Sequence, residues 1–388
     1  MSRYGSPEVF PATRGAMSSP ERPLPRLAML RELTDRAVLD HVFAHGRTTR
    51  VELATTTGIS KPTISESVRR LEAAGALRAT GTDQTGRRGR IATFYELAAD
   101  AGRVLALEVN QQGIRVLTTD LTGAVLTERQ DAPTGQPVSP AVRAAVDAAR
   151  AESGGPLRAV ALSVANPVDP ITRTVIRLRD SPFPEGAVHA RDIGVDVLLD
   201  NDVNFSALAE RREGAAIGAE SFAYVYLGAG LGVSLYLGDQ LVRGAHGLAG
   251  EIGYLTTRSG EPLAKALAGQ GFGRADAPSL DVDALLRILD QAATAPAAEK
   301  RLRRLGATVG GAVAALATIF DPEVVLLGGP VGSRPELISE IRRTVAASVP
   351  GAVRVEPGAI TGSAALRGAL LSALDMGRDH LLTALSEN

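Results

Sequence analysis

Residues 30–97 read as three short helices followed by a basic hairpin, a succession that few folds accommodate. Leu30, Leu33, Ala37, Val38, His41 and Val42 recur at helical spacing and set a first helix with these residues inward. Thr49-x-x-Glu52 is a capping box, in which the hydroxyl takes a backbone N–H and the carboxylate reaches back. It opens a second helix with Val51, Leu53 and Ala54 inward, and Gly58 ends it. Ser60 caps a third helix, which tolerates Pro62 in its first turn and carries Ile64, Val68 and Leu71 to Gly75. Ala76–Thr80 and Ile91–Leu97 then read as strands around a loop with three Gly and three Arg. This is the pattern of a winged helix-turn-helix.

Charge follows the same division. Residues 1–90 hold 15 basic against 9 acidic residues, a net of +6, and the remainder holds 27 against 34, a net of −7. A basic module joined to an acidic one points to nucleic acid at the first. In a helix entering the major groove, N-terminal side chains meet base edges, and Arg in a wing suits the minor groove. The candidate DNA-contacting residues are Thr49, Ser60, Lys61, Thr63, Ser65, Glu66, Arg69 and Arg70, with Arg87, Arg88 and Arg90 in the wing. The chain has no cysteine, which excludes disulfides, thiolate zinc sites and cysteine nucleophiles. No uninterrupted apolar run approaches the roughly 20 residues of a membrane span, and prolines break up the first 25 residues. A cytoplasmic protein is expected.

After Asp100 the texture changes. Val104–Glu108, Gly113–Asp120, Ala124–Gln130, Ala159–Ala165 and Asp196–Asp200 read as strands, with a helix over 139–152. A helix begins in Asn204–Glu213, and Phe222–Gly228 and Gly232–Leu237 open a second strand set. Helices near 283–291, 301–319, 335–348 and 362–374 surround a strand at Glu323–Leu327. Strands and helices alternating over about 290 residues argue for α/β architecture in two lobes. No tandem repeat of about 20–50 residues is visible.

Four segments in order carry a family resemblance. They are Asp200-Asn201-Asp202-Val203-Asn204, the glycine-rich Leu227–Gly232 running on to Gly247–Tyr254, Asp321–Gly329, and Gly362–Ala369. Together they resemble the ROK family of sugar kinases and repressors, over essentially all of 104–375. The resemblance implies an actin/hexokinase-like, ribonuclease H-like domain in two lobes. It places Asp202 where the kinases hold their catalytic base and Asn201 where they bind a sugar hydroxyl. The family's kinases carry Asp-x-Gly-Gly-Thr after the first strand, where this chain has Glu108-Val109-Asn110-Gln111-Gln112. Without those glycines, side chains obstruct a phosphate approaching the backbone. Gly228, Gly230 and Gly232 remain available for a second phosphate loop. Tyr254 replaces the usual His, the Cys-rich zinc segment is missing, Ala264 replaces a sugar-binding Glu, and Asn166 stands where glycine is usual.

The sequence is therefore expected to comprise a flexible tail over 1–25, a winged helix-turn-helix over 26–99 and a kinase-like domain over 100–388. The expected function is a sequence-specific transcription regulator, a repressor by family analogy, acting on a double-stranded DNA operator as a homodimer or homotetramer. The kinase-like domain is expected to be inactive, with Asp202 a vestigial base, no metal and no cofactor. Asn166, Asn201, Asp202 and Glu251 are the candidate residues for a sugar or sugar-phosphate effector. Against this, Asn201 and Asp202 have a plain structural use as helix caps. Two alternatives stand: an active ATP-dependent sugar kinase with a DNA-binding head, and a DNA-binding regulator with no small-molecule effector.

Overall fold

The computed structural model describes residues 27–82, 92–110, 112–131, 138–152, 154–178, 197–257, 259–275 and 279–386. The N-terminal head is built from α1 (Leu27–His45), β1 (Thr48–Thr49), α2 (Arg50–Thr57), α3 (Lys61–Ala73), β2 (Leu77–Thr82) and β3 (Thr93–Leu97). The capping box forms: Thr49 N donates to Glu52 Oε2 at 2.7 Å, and Glu52 N donates to Thr49 Oγ1 at 3.2 Å. Gly58 ends α2 in the left-handed region at φ 70°. Ser60 caps α3, and the strands pair in the order β1-β3-β2. Three residues expected to face inward do not. Leu30 (47%), Leu33 (52%) and Val51 (57%) are exposed, and Val38, Leu39 and Val42 supply the inner face of α1. The inward stripe of α1 is Val38, Leu39 and Val42, which pack in one cluster with α3 and with lobe one.

Lobe one contains β4 (Arg103–Asn110), β5 (Gly113–Asp120), β6 (Val125–Asp131), α4 (Val138–Ala151), β7 (Leu157–Val164) and β8 (Val197–Asn201). Its sheet runs β6-β5-β4-β7-β8, antiparallel through β6, β5 and β4 and parallel through β4, β7 and β8. From it α5 (Asp202–Glu213) leads into lobe two. Lobe two contains β9 (Ser221–Leu227), β10 (Leu231–Leu237), β11 (Gln240–Leu241), α6 (Val282–Gln291), α7 (Pro296–Phe320), β12 (Val324–Gly328), α8 (Pro335–Ser348) and β13 (Arg354–Pro357). Its sheet runs β11-β10-β9-β12-β13 with the same pattern of directions. The two lobes thus repeat a topology that their residues do not repeat. The chain returns as α9 (Ala364–Ser386), which packs on β4, β7 and α5.

Two helices run further than the periodicity indicates. Helix α7 starts at Pro296, where a missing N–H is harmless. By composition α7 is long and apolar enough to cross a membrane, and half of its most apolar window is buried inside lobe two. Helix α9 continues to Ser386 because its last turns are core: Leu381 and Leu382 pack in one cluster with Val38, Leu39 and Val42 of the head. Arg36 pairs with Asp379 at 2.8 Å, and the Arg378 guanidinium lies 4.6 Å from the Phe43 ring centroid. The head and lobe one therefore share one apolar core.

Candidate DNA-reading face and inter-lobe cleft

The head presents α3 on a fixed mount. Asp35 of α1 accepts from Ser67 Oγ at 2.5 Å and from Arg70 at 2.6 and 3.3 Å. Arg70 is thus held in an ion pair behind the helix, with its side chain 27% exposed. Lys61, Thr63, Glu66 and Arg69 lie exposed on the outer face and Ser65 is half-buried. Arg69 and Glu66 pair with each other at 2.7 and 3.2 Å. Ser60 is exposed and serves as the cap, with Thr63 N donating to its hydroxyl at 3.4 Å. Thr49 is 7% exposed and its hydroxyl is used within the capping box, so the structure places it in capping rather than on the surface. Arg87, Arg88 and Arg90 lie outside the described residues. Two further cations sit beside the wing strand: Arg47 stacks 3.9 Å from the Phe94 centroid and Arg50 lies 5.0 Å from that of Tyr95. Their signal in the sequence was a cation on each side of Thr48-Thr49, a pair that β1 places against β3.

Between the lobes, side chains from four segments converge. Asn201 caps α5, its Oδ1 accepting from Val203 N at 2.9 Å, and its amide reaches Val164 O at 3.5 Å. Asp202 occupies the first turn and also accepts from Val203 N, at 2.8 Å. The capping use of these residues is therefore real, and the charges of Glu108 and Glu251 still act on Asp202. Glu108, at the end of β4, accepts from Ser363 Oγ at 2.7 Å just before α9 begins. The Glu251 carboxylate makes no hydrogen bond among the described residues. Asn166 is 4% exposed, and its Nδ2 donates to Ile176 O at 3.1 Å, so it braces the loop after β7.

The glycine-rich segment of lobe two closes onto lobe one. Arg243 donates to Asp200 at 2.5 and 3.2 Å, while Asp200 also accepts from Asn204 and from the Asn201 N–H. Gly247 lies so close to Val168 O that a Cβ would stand 2.1 Å from it. The next loop is a tight hairpin held by Thr257 N to Glu261 O at 2.8 Å and an isolated bridge between Thr256 and Pro262. With Tyr254 exposed and no cysteine in the chain, the donors here do not fit zinc. At the end of β4, Asn110 Oδ1 accepts from Gln112 N at 2.8 Å. Gln111 lies outside the described residues.

Electrostatics mark Asp202. Burial, then the charge of Glu108 and that of Glu251, push its carboxyl from 3.8 up to about 7. Burial alone raises Glu251 to about 7. Both acids hold their proton more tightly folded than unfolded, so stability falls as pH rises from about 4 to 7 and levels off above. At about 1.36 kcal/mol per pH unit the Asp202 separation corresponds to about 4 kcal/mol, and its partial exposure screens that to about 2 kcal/mol. Asp202→Asn is accordingly expected to stabilise the protein by about 2 kcal/mol at pH 8 and by much less at pH 4. Urea unfolding of both proteins across this range measures it. A gain independent of pH would show that Asp202 does not titrate with folding.

Comparison with known proteins fits this geometry. Residues 104–376 match the ROK family, and residues 31–78 match the winged helix-turn-helix DNA-binding family. A putative xylose repressor of Caldicellulosiruptor sp. (strain Rt8B.4) is 22% identical over 356 residues, covering 82% of this chain and 88% of that protein. A glucokinase of Streptomyces coelicolor is 26% identical, covering 72% of this chain and 98% of that one. Among solved structures, a ROK family transcriptional regulator described as a homolog of E. coli MLC protein superposes with a TM-score of 0.67. It is 19% identical, with 92% of this chain and all of that one covered. Fold, glycine-rich segments and sequence agree, and the chain is a member of the ROK family that carries an N-terminal winged helix-turn-helix.

Proposed function

We propose that this protein is a sequence-specific transcription regulator that represses from a DNA operator and whose kinase-like lobes hold a sugar without phosphorylating it. The observation that carries the reading is the outer face of α3. Lys61, Thr63, Glu66 and Arg69 stand outward, with Ser65 half-buried beside them, on a helix that Asp35 pins from behind. These side chains suit the base edges and phosphates of a major groove. The division is a tail over 1–25, a head over 26–99 and a ligand-responsive body over 100–388, working in the cytoplasm. Two copies about a twofold axis present two heads to a palindromic site. Support also comes from the likeness to a putative xylose repressor.

In the body, Asn201, Asp202 and Glu251 are the proposed sugar contacts, with Asn166 bracing the wall. An acid with a pKa near 7 both donates to and accepts from hydroxyls at neutral pH. The shared core between head and lobe one gives lobe closure a route to the heads, provided the sugar binds the two arrangements unequally. A second reading, an active sugar kinase, is favoured by Asp202 itself, since a pKa of about 7 suits a general base.

Footprinting of genomic fragments with the full chain, repeated with a panel of sugars and sugar phosphates, tests the proposal. A discrete palindromic footprint that one sugar weakens is expected. Uniform coverage without a preferred site contradicts it. Sugar-dependent ATP consumption abolished by Asp202→Asn establishes the kinase instead.

A further inference from the structure

Tyr226 lies where the glycine turns of lobe two would otherwise leave open space. It is the penultimate residue of β9, two before Gly228, and pairs in register with Gly328 at the end of β12. Its ring spans the gap between the two turns. A Cβ built on Gly228 would stand 2.5 Å from the Tyr226 hydroxyl, and one on Gly329 would stand 2.8 Å from Cε2 on the other ring edge. Behind it, Tyr224 fills the space over Gly328, whose Cβ would stand 2.0 Å from the Tyr224 hydroxyl. Gly228, Gly328 and Gly329 therefore admit two tyrosine rings from within the protein, while Gly230 in the same turn faces open space. In a loop that cradles phosphate the same lack of Cβ lets the ligand approach the backbone N–H groups. One space cannot serve both purposes.

The surroundings add to this. Tyr224 is buried, while Tyr226 is half-buried and borders the cleft. Burial, then the neighbouring Asp202 and Glu108, raise the Tyr226 phenol well above its ordinary value, so it stays neutral. Two acids thus lie near it, Asp202 and Glu108, the latter with Arg115 3.8 Å away. We propose that Tyr226 is a specificity-determining plug that seals the glycine-lined half of the cleft against nucleotides and leaves the Asn201–Asp202–Glu251 half for a compact, uncharged polyol. This deepens the proposed function and rests on its reading of the body as a ligand site without phosphoryl transfer.

Equilibrium dialysis of ATP with Mg²⁺ against the full chain, wild type and Tyr226→Ala, tests the plug. Alanine leaves a cavity, so Tyr226→Ser is measured beside it, and affinity is read from whichever variant keeps the wild-type circular dichroism and cooperative melting. The variant is expected to bind ATP at least about tenfold more tightly than the wild type. Equal affinity in both, including binding by neither, overturns the proposal. Operator binding without any small molecule is recorded on the same preparations. Its loss in the wild type would count against the proposed function and not against the plug.

Discussion

Glu210→Ala is expected to destabilise the protein by about 3–5 kcal/mol, the largest loss of any single substitution considered. Glu210 sits on α5 at 1% exposure. Its Oε2 accepts from Ala215 N at 2.8 Å and Ala359 N at 3.0 Å, and its Oε1 accepts from Ile360 N at 3.0 Å. One carboxylate thus satisfies three backbone donors from two segments. The first segment follows α5 on its way from lobe one into lobe two, and the second leads from β13 back toward α9. These are the two crossings of the chain between the lobes, and Glu210 fastens one to the other. Removing it strands three N–H groups in a site too tight for easy hydration. Gly214 and Gly358 crowd the carboxylate so closely that a Cβ on either would stand 2.1 or 2.5 Å from its oxygens. Urea unfolding reads the loss as a lower midpoint, and Glu210→Gln should lose less because one oxygen remains. A change below about 1 kcal/mol would mean that the donors find other partners and that the clamp is not structural.

The clamp also shows where sequence reading stops. The capping box at Thr49–Glu52, the Ser60 cap and the glycine ends of α2 and α3 are local devices, and each is visible within four residues. The strands of both lobes announce themselves by apolar runs such as Val104–Leu107 and Val324–Leu327, buried on both faces. Glu210 is different. Two of its three partners lie 149 and 150 residues away, so in the sequence it is one more acid on a helix. Strand β13 is four residues long with Arg354 and Glu356 paired on its surface, too short and too polar to stand out. Leu30, Leu33 and Val51 fit a helical stripe yet face outward, since periodicity names a face and tertiary packing chooses how much of it to cover.

The candidate sites divide in the same way. The family segments brought Asn201, Asp202 and Glu251 to attention. The capping use of Asn201 was open in the sequence, and only the fold revealed that Glu108 joins the acids and that Arg243 locks onto Asp200. Tyr226 carried no signal at all, because a tyrosine before a glycine turn reads as an ordinary strand residue. In the head, Arg70 was grouped with Arg69 by type and spacing. Asp35 separates them, holding Arg70 inward and leaving Arg69 outside.

That separation sets up the second large effect. The triple change Lys61→Ala, Ser65→Ala and Arg69→Ala touches no buried apolar residue of α3, whose core is Ile64, Val68 and Leu71. Each change is expected to move stability by no more than about 0.5 kcal/mol. Their effect on DNA should be much larger, since each base-edge contact supplies about 1–3 kcal/mol of discrimination. Loss of three weakens operator binding by at least about a hundredfold. Nonspecific binding falls less, because the other head cations remain, among them Arg47 and Arg50.

Fluorescence anisotropy of the footprinted operator and of a scrambled duplex, at fixed salt, tests the central claim most directly. The account predicts that the full chain binds the operator at least about a thousandfold more tightly than the scrambled duplex, and that the folded triple variant loses most of this ratio. Equal affinity of the wild type for the two duplexes, or an undiminished ratio in the variant, would contradict the claim that α3 reads DNA sequence.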